Sequence, residues 1–220
     1  APAEARRHLD AALTLAEELR SRVLIHWAGG ALAAAYRLLD ELPGAHACLD
    51  SVLSPEASPD SMYVRYCWAR RAELALCHGD PALALEIVDR LIAAAPGMSP
   101  GRVITYLWKL KGEALAATGD MGTACSLLQA AIENARSTGE RFLLWRLHAS
   151  LGRLYRAMDR LPEAEVELSS ARELVKELAD TIPHRELRDN FLERARDTLM
   201  SYSQHRASSS APWLRTLPDQ

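Results

Sequence analysis

Arg65–Pro96 reads RYCWARRAELALCHGDPALALEIVDRLIAAAP, and Thr105–Arg136 reads TYLWKLKGEALAATGDMGTACSLLQAAIENAR. Laid on each other at an offset of 40 without a gap, they match Trp68 with Trp108, Ala72 with Gly112 and Gly79-Asp80 with Gly119-Asp120. Ala84 falls on Ala124, Val88 on Leu128 and Leu91 on Ala131. Another step of 40 reaches Leu151-Gly152, Tyr155, Ala164, Leu168 and Ala171. Upstream, at an offset of 39, Leu32-Ala33, Tyr36, Ala45, Leu49 and Val52 fill the same places. Four copies at a fixed period are the signature of a stacked array whose units bury their apolar faces only against neighbours.

Each copy reads as two helices. The first carries a small residue (Ala33, Ala72, Gly112, Gly152) where two helices must approach closely. The second repeats apolar residues three and four apart, as in Ala164, Leu168, Ala171 and Leu174, the stripe of a helix buried on one side. In the inner copies Gly79 and Gly119 suit the left-handed residue that ends a helix, and Asp80 and Asp120 suit the cap of the next. The outer copies use Asp40-Glu41-Leu42-Pro43 and Asp159-Arg160-Leu161-Pro162 instead. Pro55, Pro59, the run Pro96–Gly101 and Ser137-Thr138-Gly139 separate the copies.

The fold class expected is all-α, a right-handed superhelical solenoid of antiparallel helix pairs. Residues 1–201 form one solenoid: a half repeat at 3–20, repeats at about 22–54, 61–96, 102–138 and 141–179, and a capping helix at 185–201. Residues 202–220 read as a flexible tail containing Ser and Pro, in which Pro212-Trp213-Leu214-Arg215 could dock on a groove. Ala5, Leu9 and Ala12 align with a second helix, so the chain opens halfway through a repeat, and it has no initiating Met. That pattern leads us to expect an excised piece of a longer protein.

Composition agrees. Of 220 residues, 49% are apolar, enough for a core, and Ala and Leu, strong helix formers, dominate them. A net charge of −3 gives no global drive toward nucleic acid or anionic membrane. No apolar run is long enough to span a bilayer, and the N-terminus is not a signal peptide. Cys48, Cys67, Cys77 and Cys125 form no CxxC pair and read as small core residues, which fits a reduced, cytoplasmic setting.

On these residues the chain resembles the tetratricopeptide repeat (TPR) family. Trp108-x2-Lys111-Gly112-x2-Leu115 with Ala124-x3-Leu128 matches its signature in part, and His148-x2-Leu151-Gly152-x2-Tyr155 with Ala164-x3-Leu168 matches it better. The usual TPR unit is about 34 residues, shorter than these copies. Longer units of this kind are similar to those in the sensor arms of bacterial maltose-regulator-like and signal-transduction ATPase transcription regulators. The closing stretch Ala179–Pro183 followed by Glu186–Leu192 is also similar to such arms. The resemblance implies a non-catalytic binding domain from a larger multidomain signalling or transcription regulator.

Residues for chemistry are lacking. No phosphate loop, GxSxG elbow or HExxH helix is present, and the seven histidines include no i,i+4 pair. Gly29-Gly30 reads as close helix packing, His148 as a packed half-buried residue, and Glu163, Glu165 and Glu167 as solvated carboxylates. We therefore expect no catalytic residue, no metal and no cofactor.

What remains is a partner surface. First helices line the concave side of a helix-pair solenoid. Counting along them places Trp27, Arg37, Tyr66, Glu73, Tyr106, Lys109, Glu113, Arg146, Arg153 and Arg156 in the candidate groove. It should be aromatic in the first three copies and basic in the fourth, the residue types that anchor interfaces. The partner expected is a protein or peptide, or else a small ligand; neither nucleic acid nor membrane is expected. Glu73 and Glu113 in the groove would repel a carboxylate, which disfavours capture of a C-terminal peptide tail. A stand-alone scaffold or self-association module is the alternative, and an enzyme fragment ranks behind both.

Overall fold

The computed structural model describes residues 2–95 and 104–200. Ten α-helices and no strand occur among them: α1 Pro2–Glu18, α2 Arg22–Leu38, α3 Leu42–Val52, α4 Met62–Cys77, α5 Pro81–Ala93, α6 Thr105–Thr118, α7 Met121–Thr138, α8 Arg141–Ala157, α9 Leu161–Asp180 and α10 Arg185–Met200. The chain divides into two compact units, Ala1–Leu143 and Leu144–Gln220. The predicted break at Pro96–Gly101 and the Pro212–Arg215 segment lie outside the described residues.

Local chemistry starts and stops these helices. The side chains of Ser21 and Ser61 accept from Leu24 and Val64 backbone amides to cap α2 and α4. Asp80 and Asp120 do the same for α5 and α7. Gly79 and Gly119, with φ of +73° and +96°, take the left-handed turn that a side chain disfavours. Asp40 and Asp159 occupy the corresponding place in the outer copies and adopt it too, at φ of +61° and +60°. The four turns are thus one turn with two chemistries.

Within Ala1–Leu143, α2, α4 and α6 pack side by side, and α3, α5 and α7 each pack on the helix before them. The small-residue slot permits this. Ala33 and Ala72 are buried, and a Cβ on Gly112 would lie 2.8 Å from Leu128 Cγ. Gly29 and Gly30 do what close packing requires: added Cβ atoms would stand 2.7 Å from Val52 and 2.5 Å from the Tyr66 ring. Around them Leu32, Leu49, Leu53, Cys67, Trp68, Val88, Leu91 and Leu110 form the core.

Cys48 and Cys67 are buried and donate their thiols to the carbonyls of Gly29 at 3.3 Å and His26 at 3.0 Å, both on α2. Burial pushes each thiol up to about 11. Cys125 is buried as well, but Cys77, at the end of α4, is exposed. The expectation of four core cysteines is corrected there, because the last turn of α4 emerges from the core.

In Leu144–Gln220, Trp145, Val175, Leu178 and Ala195 make a core with Leu174, Phe191 and Leu192. Phe191 meets Trp145 edge-on at 6.3 Å between ring centroids. Helix α10 therefore buries an apolar stripe against α9.

Candidate ligand-binding face

Tyr63, Tyr66, Arg70 and Glu73 fall three and four residues apart, so α4 presents them along one side. Tyr106 reaches that side from α6. Its hydroxyl donates to Glu73 Oε1 at 2.5 Å and accepts from Arg70 Nη2 at 2.6 Å. Arg70 Nη1 meets Glu73 Oε2 at 2.8 Å, and Arg37 Nε on α2 lies 3.5 Å from the same oxygen. The Arg70 guanidinium is flanked by two rings, 5.0 Å from the Tyr66 centroid and 5.1 Å from that of Tyr106. Such contacts stabilise a partly desolvated cation by about 0.5–2 kcal/mol each.

Electrostatics fix the proton states of this cluster. Burial, reinforced by the Glu73 carboxylate, pushes the Tyr106 hydroxyl well above the ordinary tyrosine range. Burial works against charge on Arg70, but Glu73 and the two tyrosines hold it above its ordinary value. The phenol therefore remains a donor and the guanidinium a cation.

Beside this cluster opens a cavity of about 720 Å³, within the Ala1–Leu143 unit. Trp27 of α2, Tyr63 and Tyr66 of α4, and Tyr106 of α6 give it four aromatic rings; Met62, Leu91, Ile104 and Leu107 add aliphatic surface. Arg65 and Arg70 are the only charged residues of the lining among the described residues. Trp27 is 59% exposed, so an indole stands at the cavity rather than inside the core. A second hollow of about 690 Å³ runs along charged residues of α10 alone, and one helix flank supplies no enclosing wall.

The expected groove residues thus separate into groups. Trp27, Tyr66 and Tyr106 line the cavity. Arg37 and Glu73 belong to the Arg70 cluster, and Lys109 pairs with Glu113 at 2.7 Å within α6. Both glutamates have cationic partners, which removes the argument that they would repel a bound carboxylate. In the other unit, each of the three arginines expected to make the groove basic has a contact of its own. Arg153 donates to the Thr198 carbonyl at 2.9 Å and to Ser150 Oγ at 3.1 Å, serving the last turn of α10. Arg146 lies over the Trp145 ring at 4.8 Å, and Arg156 is 3.8 Å from Glu165.

His148 is buried, not half-buried, with Nδ1 2.5 Å from Glu167 Oε2. Glu167 is accordingly a structural partner, which corrects its reading as solvated. No group of three or more His, Cys, Asp or Glu that could hold a metal occurs among the described residues, and no described helix is long and apolar enough to cross a membrane.

Arg70 and Arg65 were missed by counting groove slots. The usable signal was helical spacing: Arg70 lies four residues after Tyr66 and three before Glu73.

No protein-family model matches the sequence, and no curated protein is significantly similar to it. Solved structures are similar. A kinesin light chain-like protein of Podosopora anserina with nearly identical TPR-like repeats shares 18% identity over 82% of this chain and 89% of its own, with a TM-score of 0.55. A second structure of that protein gives 19% identity, 83% and 90% coverage and a TM-score of 0.53. MamA RS-1, as a double mutant, shares 18% identity over 81% of this chain and 87% of its own, with a TM-score of 0.50. At these identities the likeness is one of fold. The chain is an all-helical, TPR-like helix-pair protein.

Proposed function

We propose that this chain is a non-catalytic binding domain, the sensor or scaffold part of a larger multidomain bacterial regulator working in the cytoplasm. Its working surface is the face made by α2, α4 and α6. The observation that carries this reading is the cavity lined by Trp27, Tyr63, Tyr66 and Tyr106 beside the braced Arg70. An apolar concavity with a few placed polar groups is the usual form of a binding site. The mechanism is mass action on conformation: an occupant favours one arrangement of the helices it touches, and that bias is available to whatever they are joined to.

Photocrosslinking tests the assignment. A benzoylphenylalanine placed at Trp27 or Met62, both at the cavity, should capture a partner or retained ligand in cells. The same group at Leu83, exposed on α5 away from it, should not. Equal capture at all three positions would reject this face.

Self-association is a second reading, favoured by Leu15 and Leu19, which are 55% and 62% exposed at the end of α1. Sedimentation across a concentration series decides it, since a monomer throughout removes it.

A further inference from the structure

We infer that the cavity at Trp27, Tyr66 and Arg65 takes a small organic monocarboxylate, with an apolar body against the rings and its carboxylate on Arg65. The inference rests on the binding-face reading above and adds the chemistry of the occupant. Three observations carry it.

Charge comes first. Both charged residues of the described lining are cations, and no carboxylate is among the described lining residues. Arg70 is already engaged by Glu73 and Tyr106, so it acts as a charged wall. Arg65 differs. It gives one hydrogen bond, from Nη1 to the Pro59 carbonyl at 2.9 Å, and has no carboxylate partner among the described residues. A guanidinium keeps several N–H groups in a planar fork, and a carboxylate meets that fork with two parallel hydrogen bonds.

Valence comes second. Arg37 and Arg70 share the one Glu73 carboxylate, so among the described lining residues Arg65 is the cation with no carboxylate contact. A monocarboxylate meets the one Arg65 fork, whereas a dianion such as a phosphate ester would find no second open guanidinium fork among the described lining residues.

Size comes third. A volume of about 720 Å³ is that of a cavity for a small organic molecule. The first-helix surface beyond it is occupied by the Arg37–Glu73 and Lys109–Glu113 pairs. The apolar surface therefore ends with the cavity instead of continuing as a peptide groove.

Calorimetric titration of the full chain with 2-naphthylacetate and its neutral isostere 2-naphthylacetamide tests this. The acid should bind at least about tenfold more tightly, the scale of one charge-assisted contact. Arg65→Gln should reduce that preference to below about threefold, and Arg65→Lys, which keeps the charge but not the planar fork, should retain only part of it. Trp27→Ala should weaken acid and amide alike. Equal affinities for the two, or a preference that survives Arg65→Gln, would overturn the carboxylate assignment while leaving the binding face standing if Trp27→Ala still weakens both. Binding of neither probe, with crosslinking at Trp27 retained, likewise removes only this inference and favours a macromolecular partner. Binding of neither probe with no position-specific crosslinking removes both.

Discussion

The Tyr106 hydroxyl on α6 donates to Glu73 Oε1 on α4 at 2.5 Å, joining residues 33 apart in sequence across two neighbouring first helices. Without that donor, Glu73 would keep Arg70 but lose its contact to α6, and Arg70 would lose an acceptor at Nη2. Tyr106→Phe should therefore cost about 1.5–3 kcal/mol, the range for a hydrogen bond to a charged group. Urea unfolding measures it. The same hydroxyl predicts a pH effect. Its pKa in the folded chain is raised above the unfolded value of about 10, so the folded state holds this proton more tightly. Its contribution is complete below pH about 10 and is lost as pH rises further. Between pH 9 and 11 the wild type should lose more stability than Tyr106→Phe, and parallel losses would deny the coupling.

Glycine positions separate packing from propensity. Gly30 on α2 leaves room for the Tyr66 ring, which a Cβ would approach to 2.5 Å. Gly122 on α7 has nothing within 4 Å of such a Cβ. Gly122→Ala should stabilise by about 0.5 kcal/mol through helix propensity alone. Gly30→Ala gains the same propensity but displaces an aromatic side chain at a helix contact, for a net loss of about 1–2 kcal/mol. It should also weaken any ligand in the adjoining cavity. A Gly30→Ala protein melting above wild type would show that Tyr66 moves freely.

Much of this architecture was legible because each copy repeats the same solution to the same contact. Ala33, Ala72, Gly112 and Gly152 mark helix approach, and Gly79 and Gly119 mark the turns; such signals are local and recur. The binding face was legible only in part. Trp27, Tyr66 and Tyr106 stand out as large aromatic residues at repeat spacing. Arg70 does not, since one of two adjacent arginines on a helix resembles a solvated residue. Its spacing to Tyr66 and Glu73 is a local helical signal, but its contact with Tyr106, 36 positions away on the next first helix, is not. Arg153 and Glu167 fail for the same reason, as each is claimed by a partner on a different helix.

The cysteines should differ sharply in reactivity. Cys48 and Cys67 are buried, bonded to backbone carbonyls and pushed up to about 11, so almost no thiolate exists at pH 8. Cys125 is shielded by the core; Cys77 is exposed, and although its surroundings also push its thiol up, its accessibility sets it apart from the other three. Ellman's reagent at pH 8 should therefore modify one thiol quickly in the folded chain, and Cys77→Ser should abolish that fast phase. Denaturation should release the rest. Two fast thiols would mean that α2 and α4 part readily at Cys67.

Asp40 and Asp159 hold the left-handed turn that their counterparts fill with glycine. A side chain in that region costs about 1–2 kcal/mol, less for aspartate than for most residues, while glycine loses more backbone entropy on folding. Asp159→Gly should therefore stabilise modestly, by about 0.5 kcal/mol. Asp159→Val should destabilise by about 1–2 kcal/mol, because a β-branched side chain meets the following carbonyl. The two substitutions remove the same charge and differ in backbone freedom, so their difference isolates the turn. Thermal melts of both variants read that difference. Equal melting temperatures would place the role of Asp159 in its charge rather than in the turn.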